Sequence, residues 1–393
     1  MHICMIMSSY HGENTFHSGA ELQAHTQIQL LKSLGCTITV ITKKRSSQSQ
    51  YKEMIDGKTI YRVSPTGLRS IRAALLLFQN RKQFDVVHIH GQHFFSTPII
   101  FICRMLTIPT VLKITIAGQT ASPMALDKVL PKGWNPCRKL INWVSRLTSV
   151  YLAISSEIVD ELQSQDIAAD KIIALPNGVN TDRFHPITAA EKLQLRYEFG
   201  LPSDKKVLLF ASRLIERKGY DIILKAYKNI YQAFPNTVLM VVGKGSPEAE
   251  RALEQLKQEL GPDSITYKGE VVDTAPYLQA SDLFIFPSRQ EGLPNALLEA
   301  MACGCACVAS DIGGCSDLIV PGENGLLFPS GDAASLADAV KQLMSRPQQM
   351  EEFGQKAYTR IKANHDILII GNQLMQLYCR LIDEKCPVSN RQI

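Results

Sequence analysis

The chain has 393 residues, and nowhere in it is there an uncharged apolar run of the roughly 18 residues that a bilayer-spanning helix needs. No transmembrane helix is therefore expected. The opening, MHICMIMSSYHGE, lacks a basic leading region and a cleavage pattern, so it reads as a first buried strand rather than a signal peptide. A cytoplasmic location follows as the expectation. Repeats and low-complexity tracts are missing, apart from two halves that each build a sheet. The ten cysteines are scattered, and the run Cys303, Cys305, Cys307 has no partner Cys or His at zinc spacing. It stands as a metal candidate or, better, as small buried residues where a helix passes into a strand. Basic runs with interleaved aromatics, the mark of nucleic-acid binders, are also missing, and nucleic acid is set aside as a partner.

What is present is the composition of a soluble globular protein, 45% hydrophobic and 20% charged. The length calls for two domains of about 150–200 residues. Charge is unevenly shared. Met1 to Thr188 holds 20 Lys and Arg against 12 Asp and Glu, a balance of +8, while the rest holds 22 against 25, a balance of −3. A basic first half suits an anionic partner, and an anionic membrane surface is the one retained. In that half strands and helices alternate, the pattern of a parallel sheet covered on both faces. The strands expected are Ile3–Met7, Cys36–Thr42, Ile60–Val63, Asp85–His90, Thr110–Ile116, Ser149–Ser155 and Ile172–Leu175, with a flexible loop over Lys43–Lys58. Helices are expected from Gly19 to about Ser33, from Gly67 to Gln83, and from Ser156, as N-cap, to about Gln165. The hinge-like PNGVNTDRFHP marks a domain boundary, and after it the same alternation resumes.

The second half is organised around FIFPSRQEGLPNALLEAMACG, residues 284–304. It reads as a strand, Leu283 to Phe286, then a polar loop, then a helix beginning near Pro294 or Asn295. Loops that follow strands in open α/β sheets face the ligand crevice. A helix N-terminus offers unpaired N–H groups and partial positive charge to a phosphate. Glu291 and Glu299 flank this point, eight positions apart, and ionised carboxylates are strong acceptors for sugar hydroxyls. Phosphate in the middle with hydroxyls on both sides describes a nucleotide-sugar.

This stretch resembles the two-glutamate signature of the family 4 retaining glycosyltransferases, also known as glycosyl transferases group 1. The resemblance implies the GT-B fold: α/β, two Rossmann-like domains facing across a cleft, and a C-terminal helix crossing back to the first domain. The domains would run over 1–183 for the acceptor, 184–371 for the donor and 372–393 for the returning helix. It implies that Glu291 contacts the donor sugar and Glu299 the ribose, with Gly292, Leu293, Pro294 and Asn295 around the sugar. SRLIERKG resembles the family's clamp on the donor diphosphate, which assigns Arg213 and Lys218 to it. Fixed cations suit a leaving group that gathers negative charge. ITYKGEV resembles the base-binding loop, with backbone from Lys268 through Gly269 to Val271 meeting the nucleobase. HSGAE resembles the glycine-rich loop, with Gly19 kept and Ser18 in place of the first glycine. His90 closes the strand DVVHIH and is a candidate site contact, as is His93, while His88 is expected to pack inside.

The resemblance also implies retention of anomeric configuration and no metal or other cofactor, and the sequence has no Asp-x-Asp, the pair that holds a metal in the other large glycosyltransferase fold. The expected donor is a UDP-sugar and the acceptor a sugar or lipid-linked sugar in polysaccharide or glycoconjugate assembly. One departure stands out. Where many members carry a histidine before the glycine of ITIAG, this chain has Ala117, leaving Thr115, Gln119 or Thr120 as substitutes. Residues 137–147, with Trp143 and several basic side chains, read either as an interfacial membrane helix or as a helix packed on the domain. The rivals are another GT-B enzyme, an epimerase or phosphorylase, and a basic polyanion-binding protein.

Overall fold

The structure is a computed structural model and describes residues 1–8, 10, 19–44, 50–63, 69–91, 96–117 and 143–385. Two compact units are present, Met1–Asn177 with Leu368–Ile393, and Gly178–Ile367.

The first unit is built in the order β1 (His2–Ile6), α1 (Gly19–Ser33), β2 (Thr37–Lys43), β3 (Lys52–Ile55), β4 (Lys58–Val63), α2 (Arg69–Gln79), β5 (Val86–His90), α3 (Ser96–Met105), β6 (Thr110–Ile114), β7 (Val150–Ala153), α4 (Ser156–Ser164) and β8 (Ile172–Ala174). The sheet order is β3-β4-β2-β1-β5-β6-β7-β8. All described pairings are parallel except that of β3 with β4. Its central strands are buried almost throughout and mostly apolar, as a sheet covered on both faces requires, with His88, His90 and Lys113 as the charged or titratable exceptions in β5 and β6. The chain builds outward from β1 on one side and then jumps to β5 on the other, so a topological switch point lies between them. A last helix, α13 (Ile367–Lys385), sets Ile370, Leu374, Leu377 and Tyr378 into the core beside Ile3, Met5, Val86 and Val111.

The second unit holds α5 (Ala189–Glu198), β9 (Lys206–Ala211), α6 (Tyr220–Ala233), β10 (Thr237–Val242), α7 (Pro247–Leu260), β11 (Ile265–Gly269), α8 (Ala275–Ala280), β12 (Leu283–Phe286), α9 (Asn295–Ala302), β13 (Ala306–Asp311), α10 (Gly313–Ser316), β14 (Leu326–Pro329), α11 (Ala333–Met344) and α12 (Pro347–Asn364). The sheet is parallel, in the order β11-β10-β9-β12-β13-β14. This is the doubly wound arrangement, with its switch point between β9 and β12.

Three expectations are corrected. Lys43–Lys58 is not one long loop, because β3 pairs with β4 through a two-residue turn at Asp56 (φ 49°) and Gly57 (φ 69°). Positive φ at both positions is the hairpin turn that Asp-Gly favours. Ser155 rather than Ser156 stands at the N-cap of α4, and its side chain makes no capping bond. Finally, α13 starts at Ile367, ahead of the expected Asn372.

Candidate active site

Two loops leave the carboxyl ends of neighbouring strands in the second unit, one after β9 and one after β12. After β9, Leu214 is buried and anchors the loop, and a short 3-10 turn over Glu216–Lys218 leads into α6 through Gly219. Gly219 has φ +74°, and a Cβ there would sit 1.9 Å from the Pro287 carbonyl oxygen. Only glycine lets these two backbones touch.

Hydrogen bonds then stitch the loops together. Arg289 N donates to Arg217 O at 2.8 Å, and Arg217 Nη1 donates to Gln290 O at 2.7 Å. The Arg289 guanidinium grips the Asp221 carboxylate with two parallel bonds of 2.8 Å, which holds that carboxyl below its usual range. Lys218 Nζ donates to Glu291 Oε1 at 2.5 Å, and Ser288 Oγ lies 2.6 Å from the same oxygen. Arg217 Nη1 is 3.7 Å from it as well. Burial lowers the Lys218 pKa, Glu291 opposes that fall, and Arg217 and Arg213 add to it. Arg213 itself is exposed, with its charge in range of Lys218.

From Glu291 the chain runs through Gly292, Leu293 and Pro294, all buried, to Asn295, the first residue of α9. Backbone packing fixes this run, since a Cβ on Gly314 of α10 would lie 2.0 Å from Gly292 O. No side chain caps α9. Glu299 lies one turn into the helix and accepts from Thr274 Oγ1 at 3.3 Å. Burial pushes its carboxyl up to about 7, against the pull of Thr274 and Arg183. Arg183 is held by Asp273 at 2.8 Å.

The expected base-binding loop leaves β11 at the same edge of the sheet. Gly269 has φ +67°, and its carbonyl accepts from Gly243 N at 2.7 Å. The Lys268 ammonium is turned onto Phe199 O at 2.8 Å, which leaves its backbone at the loop. Val271 is half-buried and Val272 is 86% exposed.

The second unit thus brings Lys218 and Glu291 into contact, with Arg213 and Arg217 beside them. Glu299 sits one turn into the helix that follows. Gly19 and His90 belong to the first unit, Gly19 opening α1 and His90 closing β5. His90 is buried and stacked on His88 at 4.4 Å. Ser18, His93, Gln119, Thr120 and most of 137–147 lie outside the described residues. Sequence reasoning gave no role to Arg217, Ser288 and Arg289, although they lie inside the quoted motifs, nor to Thr274, which lies in none. It also missed Lys113, which did carry a signal as the one charge inside the buried strand TVLKI.

The profile described as Glycosyltransferase Family 4 matches residues 17–183, and that described as Glycosyl transferases group 1 matches 191–360. A GDP-mannose-dependent monoacylated alpha-(1-6)-phosphatidylinositol monomannoside mannosyltransferase of Corynebacterium glutamicum is 30% identical over 212 residues, 52% of this chain and 55% of its own. A D-inositol 3-phosphate glycosyltransferase of Corynebacterium urealyticum is 25% identical, covering 92% of this chain and 90% of its own. Among solved structures, HepE of Anabaena in complex with UDP superposes with a TM-score of 0.77 at 18% identity, over 97% of this chain and all (100%) of HepE. That likeness shows the fold, which is GT-B.

Proposed function

The chain belongs to glycosyltransferase family 4, and from that membership we propose that it moves a hexose from a nucleotide-sugar to a sugar or lipid-linked acceptor, with retention and without a metal. The observation that carries this reading is the contact of Lys218 with Glu291 at the β9/β12 switch point, beside Arg213 and Arg217 and ahead of the uncapped start of α9. Arg213 and Lys218 take the charge that develops on the leaving diphosphate. Glu291, with the backbone of Gly292 to Asn295, positions the sugar. Glu299 accepts from the ribose hydroxyls, and backbone from Lys268 through Gly269 to Val271 meets the base. In the step itself the acceptor oxygen bonds to the anomeric carbon as the bond to the diphosphate breaks. The acceptor proton passes to the departing phosphate oxygen on the same face. The first unit takes the acceptor, with Gly19 and His90 as its contacts.

A UDP-sugar is the donor proposed. GDP-mannose is the second reading, because the Corynebacterium glutamicum relative is by name GDP-mannose-dependent. Diphosphate release from a panel of UDP-, GDP- and ADP-sugars in EDTA decides between them. Release from one UDP-sugar supports the first reading, and release from a GDP-sugar replaces the base. Release that appears only with a divalent metal overturns the clamp.

The acceptor is proposed to reside at an anionic membrane face in polysaccharide or glycoconjugate assembly, with the enzyme peripheral to it. A described surface supports this. Ile71, Leu75 and Phe78 of α2 and Phe101 and Met105 of α3 are 45–66% exposed, on two helices that pack together. Arg72, Arg81, Lys82 and Arg104 are exposed around them. Apolar anchors amid cations suit an interfacial surface. No helix among the described residues is long and apolar enough to cross a membrane.

A further inference from the structure

Three polar side chains of the first unit lie buried at the carboxyl edge of its sheet. His88 and His90 stack at 4.4 Å on one face of β5. Lys113 of β6 is the register partner of His90. They are 0%, 7% and 2% exposed. His88 Nε2, His90 Nε2 and Lys113 Nζ have no hydrogen-bond partner among the described residues. His88 Nδ1 is engaged by the Tyr378 hydroxyl at 2.5 Å. With that hydroxyl donating, the neutral ring carries its proton on Nε2, so the unpartnered atom is a donor. Gln27, on the helix α1 that packs over the same face, also keeps an unpartnered, buried Oε1.

Burying an amine with neither counter-ion nor acceptor is expensive. Apolar residues of equal size would have made a more stable strand end. Among the described residues the group has no acceptor carrying negative charge, and it lies beside the β1/β5 switch point, where open α/β sheets bind ligands. We propose that Lys113, His88 and His90 form a buried oxyanion site that takes a phosphate or carboxylate carried by the acceptor. The assignment to the acceptor rests on the transferase reading; the anion site itself does not.

The titratable groups on the elements packed over this face are His88 and His90 of β5, Tyr378 of α13, and Glu21 and His25 of α1. Burial holds the three histidines below their usual value and Tyr378 well above its own. Burial alone brings Lys113 down to about 7. Anion binding should therefore draw a proton onto Lys113 above that pH.

The test is calorimetric titration of inorganic sulfate, whose charge is constant from pH 6 to 9, into the full chain with its nucleotide site saturated by UDP or GDP. Wild-type affinity should weaken roughly fivefold from pH 7 to pH 8, with proton uptake. Lys113→Arg should keep binding and lose that pH dependence. Lys113→Met should weaken binding at least about tenfold and raise the Tm, since it removes a buried amine. Sulfate binding that is unchanged in Lys113→Met, or independent of pH in the wild type, overturns the site. Sulfate that binds the free chain and is displaced by nucleotide overturns the assignment to the acceptor. If the chain binds no nucleotide, the transferase reading fails, and the same sulfate titration still reads the anion site.

Discussion

Lys218 Nζ lies 2.5 Å from Glu291 Oε1, so the residue assigned to the diphosphate and the residue assigned to the sugar hold each other before either meets a donor. The pair is poised at the junction the donor must bridge. Glu291 also offsets part of the burial that lowers the Lys218 pKa.

Glu291→Gln removes that opposing charge. The Lys218 pKa should fall further, and the alkaline limb of the kcat profile should move to lower pH, together with a loss of turnover of about a hundredfold. An alkaline limb that stays in place would mean that Lys218 is not the titrating group.

Glu299 titrates in the opposite sense. Its carboxyl is pushed up to about 7, so the folded chain holds that proton more tightly than the unfolded chain. The stability this contributes is complete below the ordinary carboxyl value and is lost as pH rises through about 7. Glu299→Gln should raise the Tm at pH 8 and change it little at pH 4. Because ribose hydroxyls favour the ionised acceptor, nucleotide binding should release a proton near pH 6.5, and Glu299→Gln should abolish that release in calorimetry across buffers of different ionisation enthalpy.

Much of this site was legible because its chemistry is local in sequence. Strand, polar loop and helix fall within Leu283–Ala302, and the glycine at 219 ends its own motif. The short apolar strand β12 stands where the sequence puts it. What escaped was of two kinds. One was a signal not used: Asp56-Gly57 for the hairpin, and Thr188 with Glu191 for α5, which the structure caps reciprocally. The other depends on residues far apart in the chain. Arg289 meeting Asp221, or Lys113 meeting His90, follows from strand order, and no periodicity within one segment encodes it.

Gly219→Ala tests the backbone contact beneath the clamp. A left-handed φ and a Cβ 1.9 Å from Pro287 O leave alanine no place without moving a loop. A loss of about 2–4 kcal/mol of stability, with weaker nucleotide binding, is expected from chemical denaturation and calorimetry. Wild-type stability would show that the two loops do not pack this way.

The membrane reading predicts salt-sensitive binding to vesicles containing anionic lipid. Changing Leu75 and Phe101 together to Glu should reduce sedimentation with those vesicles at least about tenfold, with the Tm unchanged because both side chains are exposed. Equal binding by the variant would rule out this surface, and no binding by the wild type would favour an acceptor in solution.

The most direct measurement is the turnover of Lys218→Ala on the donor found in the panel, in EDTA and again with magnesium. The clamp account predicts a fall of at least about a hundredfold in kcat that magnesium does not restore. Turnover near wild type, or rescue by the metal, would contradict it.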